Sequence, residues 1–316
     1  MKLKRNIKKL KGDASNRIFY RIKKKKTSSI IIYAKKDKKL NLLIYDAINQ
    51  ILLNNKILAP KLYSENYSKN FIEIQDFGDN TIFKLLKKNK ANKLFIFKEI
   101  LKLLNKIQSI RQRKIKNFNK QNYKVPFYNS KILLNEARLF SNWYAADKLT
   151  KSKLKIFKKK FNKITNNLIK HLYLRNNTFV HRDFHVSNLM MVKKEIGVID
   201  TQDALIGNKA YDLASLIDDV RFKTPKNIKE KVFNLYLKSQ KKINNSHLKN
   251  DFEIISVLRN LKIIGIFTRL ALRDNKKKYL TLIPYAWKLI KLRSFKIDKF
   301  KDLNDLLSIF KKIENR

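Results

Sequence analysis

The chain has 316 residues, enough for one two-lobed unit with a sizeable core, and 44% of them are hydrophobic, which excludes wholesale disorder. Its 74 Lys and Arg against 25 Asp and Glu give a formal charge of +49, and the lack of any Cys excludes disulfides and thiolate chemistry. The charge is spread in short Lys runs at 23–26, 35–39 and 276–278 among abundant Asn and Ile.

All three residue types have A/T-rich codons, so base composition is expected to account for the charge, rather than a nucleic-acid partner. No apolar run approaches the roughly 18 residues of a membrane span, and the first twelve residues, MKLKRNIKKLKG, lack the apolar region of a secretion signal. No membrane partner and a cytoplasmic location are therefore expected.

In chain order, the first candidate element is a turn at Gly12, Asp13, Ala14 and Ser15. Its backbone N–H groups and the Ser15 hydroxyl can face an anion without a glycine-rich motif. Strand-like runs follow at 17–22, 29–34 and 71–75, around an apolar helix near 42–53. Residues 1–78 are therefore expected to form a small antiparallel β lobe. Ala59-Pro60 and Gln75-Asp76-Phe77-Gly78 punctuate it.

From 79 to 316 helical periodicity dominates, and the whole reads as α+β. Phe97, Ile100, Leu101 and Leu104 recur at spacings of three and four, as do Phe157, Phe161, Ile164 and Leu168, with Lys on the complementary positions. These side chains are assigned to core. Between the two helices, NEARLFSNWY (135–144) can place Glu136 and Trp143 two turns apart on one face.

The segment VHRDFHVSNLMMVKKEIGVIDTQD (180–203) carries the chemistry. A short strand at 178–180, a loop at 182–188 and a hairpin of 189–192 with 196–199, turning at Lys193-Lys194-Glu195, bring three oxygen-bearing side chains together. Asp183 then faces an incoming hydroxyl, while Asn188 and Asp200 offer oxygens to a divalent cation. That is the division of labour of phosphoryl transfer, with Mg²⁺ taking few protein ligands and the rest from water and phosphate. A carboxylate of pKa about 4 orients a hydroxyl rather than stripping it. His181 and His185 flank Asp183 and are expected to be hydrogen-bonded scaffold, since this cation prefers oxygen.

This segment resembles the Brenner-type catalytic loop of the aminoglycoside phosphotransferase and choline kinase superfamily. GDASNRIFYR (12–21), NEARLFSNWY, DTQDALIGNKAYDLASLIDDVR (200–221) and RNLKIIGIFTRL (259–270) are similar to the bacterial anomeric N-acetylmuramate and N-acetylglucosamine kinases of cell-wall recycling. The resemblance implies a protein-kinase-like two-lobed fold, with an N-terminal lobe to residue 78 and a mostly helical C-terminal lobe from 79 to 316. It also implies ATP and Mg²⁺ as cofactors and a small sugar or alcohol as acceptor. By it Asp183 is the catalytic Asp, Asn188 and Asp200 are metal ligands, and Gly12 to Ser15 contact nucleotide. Gln75 and Asp76 lie in the strand that binds adenine through its backbone. Glu136, Trp143, Gln202 and Asp203 border the acceptor, and Asp212 supports the catalytic loop from behind.

Two departures accompany the resemblance. The third strand, SIIIYA, lacks the phosphate-binding Lys usual in such a lobe, which leaves Arg17 or Arg21 for that charge. Thr201 stands where an aromatic is usual after the metal-binding Asp. Three other readings compete: a phosphotransferase acting on choline, homoserine or an aminoglycoside, a catalytically silent kinase fold, and a basic RNA-binding protein.

Overall fold

The computed structural model describes residues 6–10, 17–25, 27–88, 92–241 and 243–314. Gly12, Asp13, Ala14 and Ser15 lie outside the described residues. The first part of the chain forms β1 (Asn6–Leu10), β2 (Ile18–Lys23), β3 (Ser28–Tyr33), α1 (Leu40–Asn54), β4 (Leu62–Asn66), β5 (Phe71–Gln75), α2 (Ile82–Leu86), α3 (Lys93–Gln108), β6 (Lys114–Lys116) and β7 (Asn122–Lys124). There follow α4 (Ser130–Leu139), α5 (Ala145–Lys148), α6 (Lys151–Lys170), β8 (Thr178–Val180), β9 (Leu189–Val192), β10 (Glu195–Val198) and β11 (Leu205–Gly207). The chain continues with α7 (Ala210–Ile217), α8 (Lys226–Lys238), α9 (Asn245–Leu272), α10 (Ile283–Ser294) and α11 (Lys301–Glu314). The fold is α+β, a small antiparallel sheet followed by helices.

The contacts divide the chain into two compact units, Met1–Pro126 with Phe179–Ile206, and Phe127–Thr178 with Gly207–Arg316. The switch from strand to helix periodicity after residue 78 marks a different point. Residues 179–206 group with the first 126 because backbone bonds tie them there. Phe83 N–H donates to Val186 O (2.9 Å), Met191 N–H to Asn80 O (2.8 Å) and Val198 N–H to Leu58 O (2.8 Å).

In the first unit the sheet runs β1-β2-β3-β5-β4, with every neighbouring pair antiparallel. Alternation along β3 sends Ile30 and Ile32 into a core with Leu42 and Tyr45 of α1 and Ile72 and Ile74 of β5. Phe19 pairs with Ile32 and Arg21 with Ile30. Residues directly opposite in a ladder share a face, so Phe19 and Arg21 of β2 also point to the core side.

The second unit is built round α9, 28 residues long and so about 42 Å at 1.5 Å per residue. Its Ile254, Ile255, Val257, Leu258, Leu261, Ile264 and Phe267 are buried around the whole circumference, as expected of a helix enclosed by others. Helices α4, α7 and α10 pack on it. A Cβ built on Gly265 would lie 2.2 Å from the Leu139 carbonyl carbon, so only glycine lets α9 cross the end of α4 there. At that crossing the helix widens into a π turn over Phe140–Tyr144. Phe140 and Tyr144 then enter an aromatic cluster with Phe157 and Phe161 of α6, Trp287 of α10 and Phe310 of α11, ring centroids 5.2–6.1 Å from Phe140. The expected core assignment of Phe157 and Phe161 holds.

The many Asn residues also work locally. Asn92, Asn129 and Asn244 each cap a helix, accepting from Phe95 N–H, Ile132 N–H and Ser246 N–H respectively. Among the described residues no helix is long and apolar enough to cross a membrane.

Candidate active site

The site grows from one hairpin. Val192 opposes Glu195 and Leu189 opposes Val198, so a two-residue Lys193-Lys194 turn sets the register. Lys193 takes a φ of 55° to make it. The register puts Asn188 opposite Ile199, whose N–H donates to Asn188 O at 3.0 Å. Asn188 and Asp200 therefore leave the same end of the hairpin, one from each strand. A Cβ on Gly197 would meet Phe77 Cε2 at 2.7 Å and Leu58 Cγ at 3.2 Å, so β10 can lie this close to residues 58 and 77 only because glycine stands there.

The loop before the hairpin folds on its own backbone. The carbonyl of Asp183 accepts from His185 N–H (3.0 Å) and from Asn188 Nδ2 (3.1 Å), and Asp183 itself is half-buried. His181 is buried, with Nε2 3.1 Å from Ile199 O, and His185 Nε2 lies 3.4 Å from Asn188 Nδ2. His181 thus ties the loop to the end of β10, and His185 lies beside the Asn188 amide. Arg182 at φ 77° and Asp200 at φ 62° occupy the left-handed region. For side-chain-bearing residues that conformation costs on the order of 1 kcal/mol or more and persists where the surroundings impose it. Arg182 directly precedes the first of the three candidate groups, and Asp200 is the last of them.

Thr201, the second departure, is buried. Its hydroxyl donates to Asn49 Oδ1 at 2.6 Å, and Asn49 Nδ2 donates to Pro60 O at 3.0 Å. A polar pin to α1 thus replaces aromatic packing beside Asp200. Tyr45, one turn earlier on α1, is buried so fully that its hydroxyl is pushed up to about 12. Sequence reasoning missed Asn49, whose only sequence signal is a polar residue inside an apolar helical run.

Arg17, just before β2, and Arg21 within it separate cleanly. Arg21 meets Asp76 (Nε to Oδ2 2.7 Å, Nη2 to Oδ1 3.0 Å), both oxygens of Asp79 (2.9 and 2.8 Å) and Gly78 O (3.1 Å). The Arg21 hydrogen bonds hold the Asp79 carboxyl below its ordinary value. Arg21 thus fastens β2 to the 76–79 segment, and Asp79 joins the expected Gln75 and Asp76 there. Arg17 instead reaches Asp200 Oδ1 (2.5 Å) and Gln202 Oε1 (2.8 Å). Gln202 Nε2 donates to Asp203 Oδ2 (2.8 Å), and Arg182 Nη1 stands 3.8 Å from Asp203 Oδ1.

Glu136, Trp143 and Asp212 belong to the second unit. Glu136 is buried and bonded by Tyr128 Oη, Tyr211 Oη (3.1 Å) and Lys262 Nζ (2.8 Å). The π turn between Glu136 and Trp143 changes the helical phase, so a spacing of seven no longer guarantees one face. Trp143 is half-buried, and Asp212 is fully buried in the first turn of α7.

Comparisons with known proteins are decisive at the level of family. The model of the phosphotransferase enzyme family matches residues 6–242. The chain belongs to that family. It is therefore a phosphotransferase. It is similar to the N-acetylmuramate/N-acetylglucosamine kinase of Neisseria meningitidis, 26% identical over 285 residues, which cover 86% of this chain and 81% of that protein. The enzyme of the same name from Pseudomonas aeruginosa is 26% identical over 82% of this chain and 75% of that protein. Among solved structures, an ADP-bound aminoglycoside phosphotransferase superposes with a TM-score of 0.61 at 17% identity, covering 92% of this chain and 93% of that one. A choline/ethanolamine kinase family protein from Mesorhizobium loti gives 0.63 at 10% identity, covering 95% and 92%. These likenesses show the fold, which is protein-kinase-like.

The hairpin end fits a hard divalent cation. No cluster of three or more His, Asp and Glu that could hold a metal occurs among the described residues, but Mg²⁺ with nucleotide phosphates and water needs few protein oxygens. Asn188 spends its Nδ2 on Asp183 O, which leaves Oδ1 as the amide's lone-pair donor. The Asp200 carboxylate already attracts a cation, Arg17.

Proposed function

We propose that the chain is an ATP-dependent, Mg²⁺-assisted kinase that phosphorylates the anomeric hydroxyl of an N-acetylated amino sugar, N-acetylmuramate or N-acetylglucosamine. The single observation that carries the phosphoryl-transfer reading is the departure of Asn188 and Asp200 from one hairpin end, behind a loop that turns on the Asp183 carbonyl. Support for the sugar comes from the relatives, whose names state those two substrates.

In this reading residues 1–78 carry the nucleotide, with residues 12–15 as phosphate contacts and the backbone of Gln75 and Asp76 for adenine. Asp183 accepts the hydrogen bond of the acceptor hydroxyl and aligns it. Its proton becomes acidic only late in a loose transition state, so an oriented carboxylate suffices. Asn188 Oδ1 and Asp200 would hold Mg²⁺, which when bound neutralises charge on the transferring phosphate. Gln202 and Asp203 border the acceptor, and Glu136 is the acid that the resemblance to the sugar kinases assigns to it. The Glu136 carboxylate already has Lys262 as its ion-pair partner at 2.8 Å. That supports a neutral or anionic acceptor over a cationic one, which needs an uncompensated acid or an aromatic cage.

The test is a panel of amino sugars, choline, homoserine and aminoglycosides with ATP and Mg²⁺, reading ADP release and locating the phosphate by phosphorus NMR. A 1-phosphate of either N-acetyl sugar is the expected product. Turnover of choline alone would move the chain to the amino-alcohol kinases, and no turnover of any alcohol would overturn the assignment.

A further inference from the structure

The described strand β3 reads SSIIIY and offers no cation, and Lys35 and Lys36, which follow it, are exposed. Phosphate charge must then be met from elsewhere in the first unit. Arg17, just before β2, and Arg21 within it are four residues apart, about 13 Å along an extended chain, and alternation gives them the same side of the sheet. Their surroundings differ in kind. Arg21 is enclosed by two carboxylates and a carbonyl, and its pairing with Asp76 is buried on both sides. The Arg17 side chain is 8% exposed, but its partner Asp200 is 38% exposed, and Gln202 is only half-buried.

We infer that Arg17 is an exchangeable counter-ion: it balances Asp200 until a divalent cation takes that carboxylate, and its guanidinium then serves the nucleotide phosphates. This rests on the metal role proposed for Asp200. Two cations on one carboxylate repel each other, so the ion and the guanidinium compete for Asp200. The guanidinium has a fixed platform from which to move, since its Cζ lies 5.5 Å from the centroid of the Phe19 ring, and Phe19 is packed against the sheet core. A planar fork of donors suits phosphate oxygens as well as carboxylate. Gln202 shares Arg17 with Asp200 and is bonded in turn to Asp203, so a departure of Arg17 also frees the residues that follow the metal-binding position.

The exchange is read directly by Mn²⁺ binding to the full-length chain, followed by water-proton relaxation, together with ATP binding by calorimetry. Arg17→Gln should tighten Mn²⁺ roughly tenfold, as expected when a like charge leaves a site within ~4–6 Å. It should weaken ATP about tenfold or more, the loss of a charge-assisted bond. Arg17→Lys, which keeps the charge, should stay within about threefold of the parent for Mn²⁺, and Arg21→Gln should leave Mn²⁺ unchanged. A purely structural Arg17 would lower both affinities together. Asp200→Asn separates the two layers of the argument. If it loses Mn²⁺ while Arg17→Gln binds Mn²⁺ no tighter than the parent, the exchange is overturned and the metal site stands. If it binds Mn²⁺ as the parent does, the metal reading of Asp200 fails, and the exchange with it.

Discussion

Two aspartates, one in each unit, are both paired with arginine, and their differences separate a carboxylate that must change partners from one that must not. Among the described residues Asp200 pairs with the cation Arg17, and it has a side chain 38% exposed and a left-handed backbone. Asp218 follows α7 with its side chain 0% exposed. It takes Lys229 Nζ (3.0 Å), Arg293 Nε and Nη2 (2.8 and 3.1 Å) and the Ser256 hydroxyl (2.6 Å). Lys229 is itself buried and also donates to Ile217 O. A buried ion pair gains little over apolar packing, but removing one partner strands the other charge. A partly open pair is nearly neutral in stability, and for that reason it can exchange. In the proposed reading, strain at Asp200 marks function, and enclosure at Asp218 marks architecture.

The largest expected effect attacks the open site. Asp183→Asn and Asp200→Asn should each lower turnover about 10²–10⁴-fold, the range for a positioned catalytic group, with thermal unfolding close to the parent. A fall in melting temperature as steep as the fall in rate would merge the two kinds of aspartate. The reverse signature belongs to the enclosed one. Asp218→Asn leaves Lys229 and Arg293 facing a neutral amide and should destabilise the fold by about 3–5 kcal/mol, read from urea unfolding.

Much of this contrast was legible in the sequence on one side only. Asp183, Asn188 and Asp200 could be read because a hairpin converts sequence spacing into position: an apolar run, a Lys-Lys turn and a second run fix which residues share an end. Arg17 and Arg21 could not be told apart in that way. One precedes β2 and the other lies within it, four residues on, and the choice is made by Asp76 and Asp79 for one and by Asp200 and Gln202 for the other, all more than fifty residues away. NEARLFSNWY shows a similar limit. Its period is helical throughout, yet Gly265 lets another helix press against residue 139 and the turn widens to π, so a spacing of seven no longer guarantees Glu136 and Trp143 a common face. Neither the bonds of Glu136 to Tyr128, Tyr211 and Lys262 nor the pairing of Thr201 with Asn49 has a local signal.

That close crossing gives the next test. Gly265→Ala places a methyl 2.2 Å from the Leu139 carbonyl carbon and 2.5 Å from Phe140 N, backbone atoms that cannot rotate away. The helices must part, at a cost of about 3 kcal/mol, the upper part of the range for overpacking. Mn²⁺ affinity should stay at the parent value, because the ligands proposed for it, Asn188 and Asp200, both belong to the first unit. Loss of metal binding together with stability would show that the two aspartates report on one cooperative structure.

Acid sharpens the comparison with the smallest effect. Burial alone would push the Asp218 carboxyl up, but Lys229 and Arg293, with bonds from Arg293 and Ser256, outweigh it and hold the group at about 2, against an ordinary 3.8. A carboxyl depressed in the folded chain stabilises it fully above the unfolded value, and that contribution fades as pH falls through the folded one. The window is therefore about pH 4 down to about pH 2, and the contribution lost across it is about 2–3 kcal/mol. Urea midpoints of the parent should fall over that interval by more than those of Asp218→Asn, which has no proton to take up at this position. Equal slopes for the two proteins would mean that Asp218 is not the enclosed anion its partners make it.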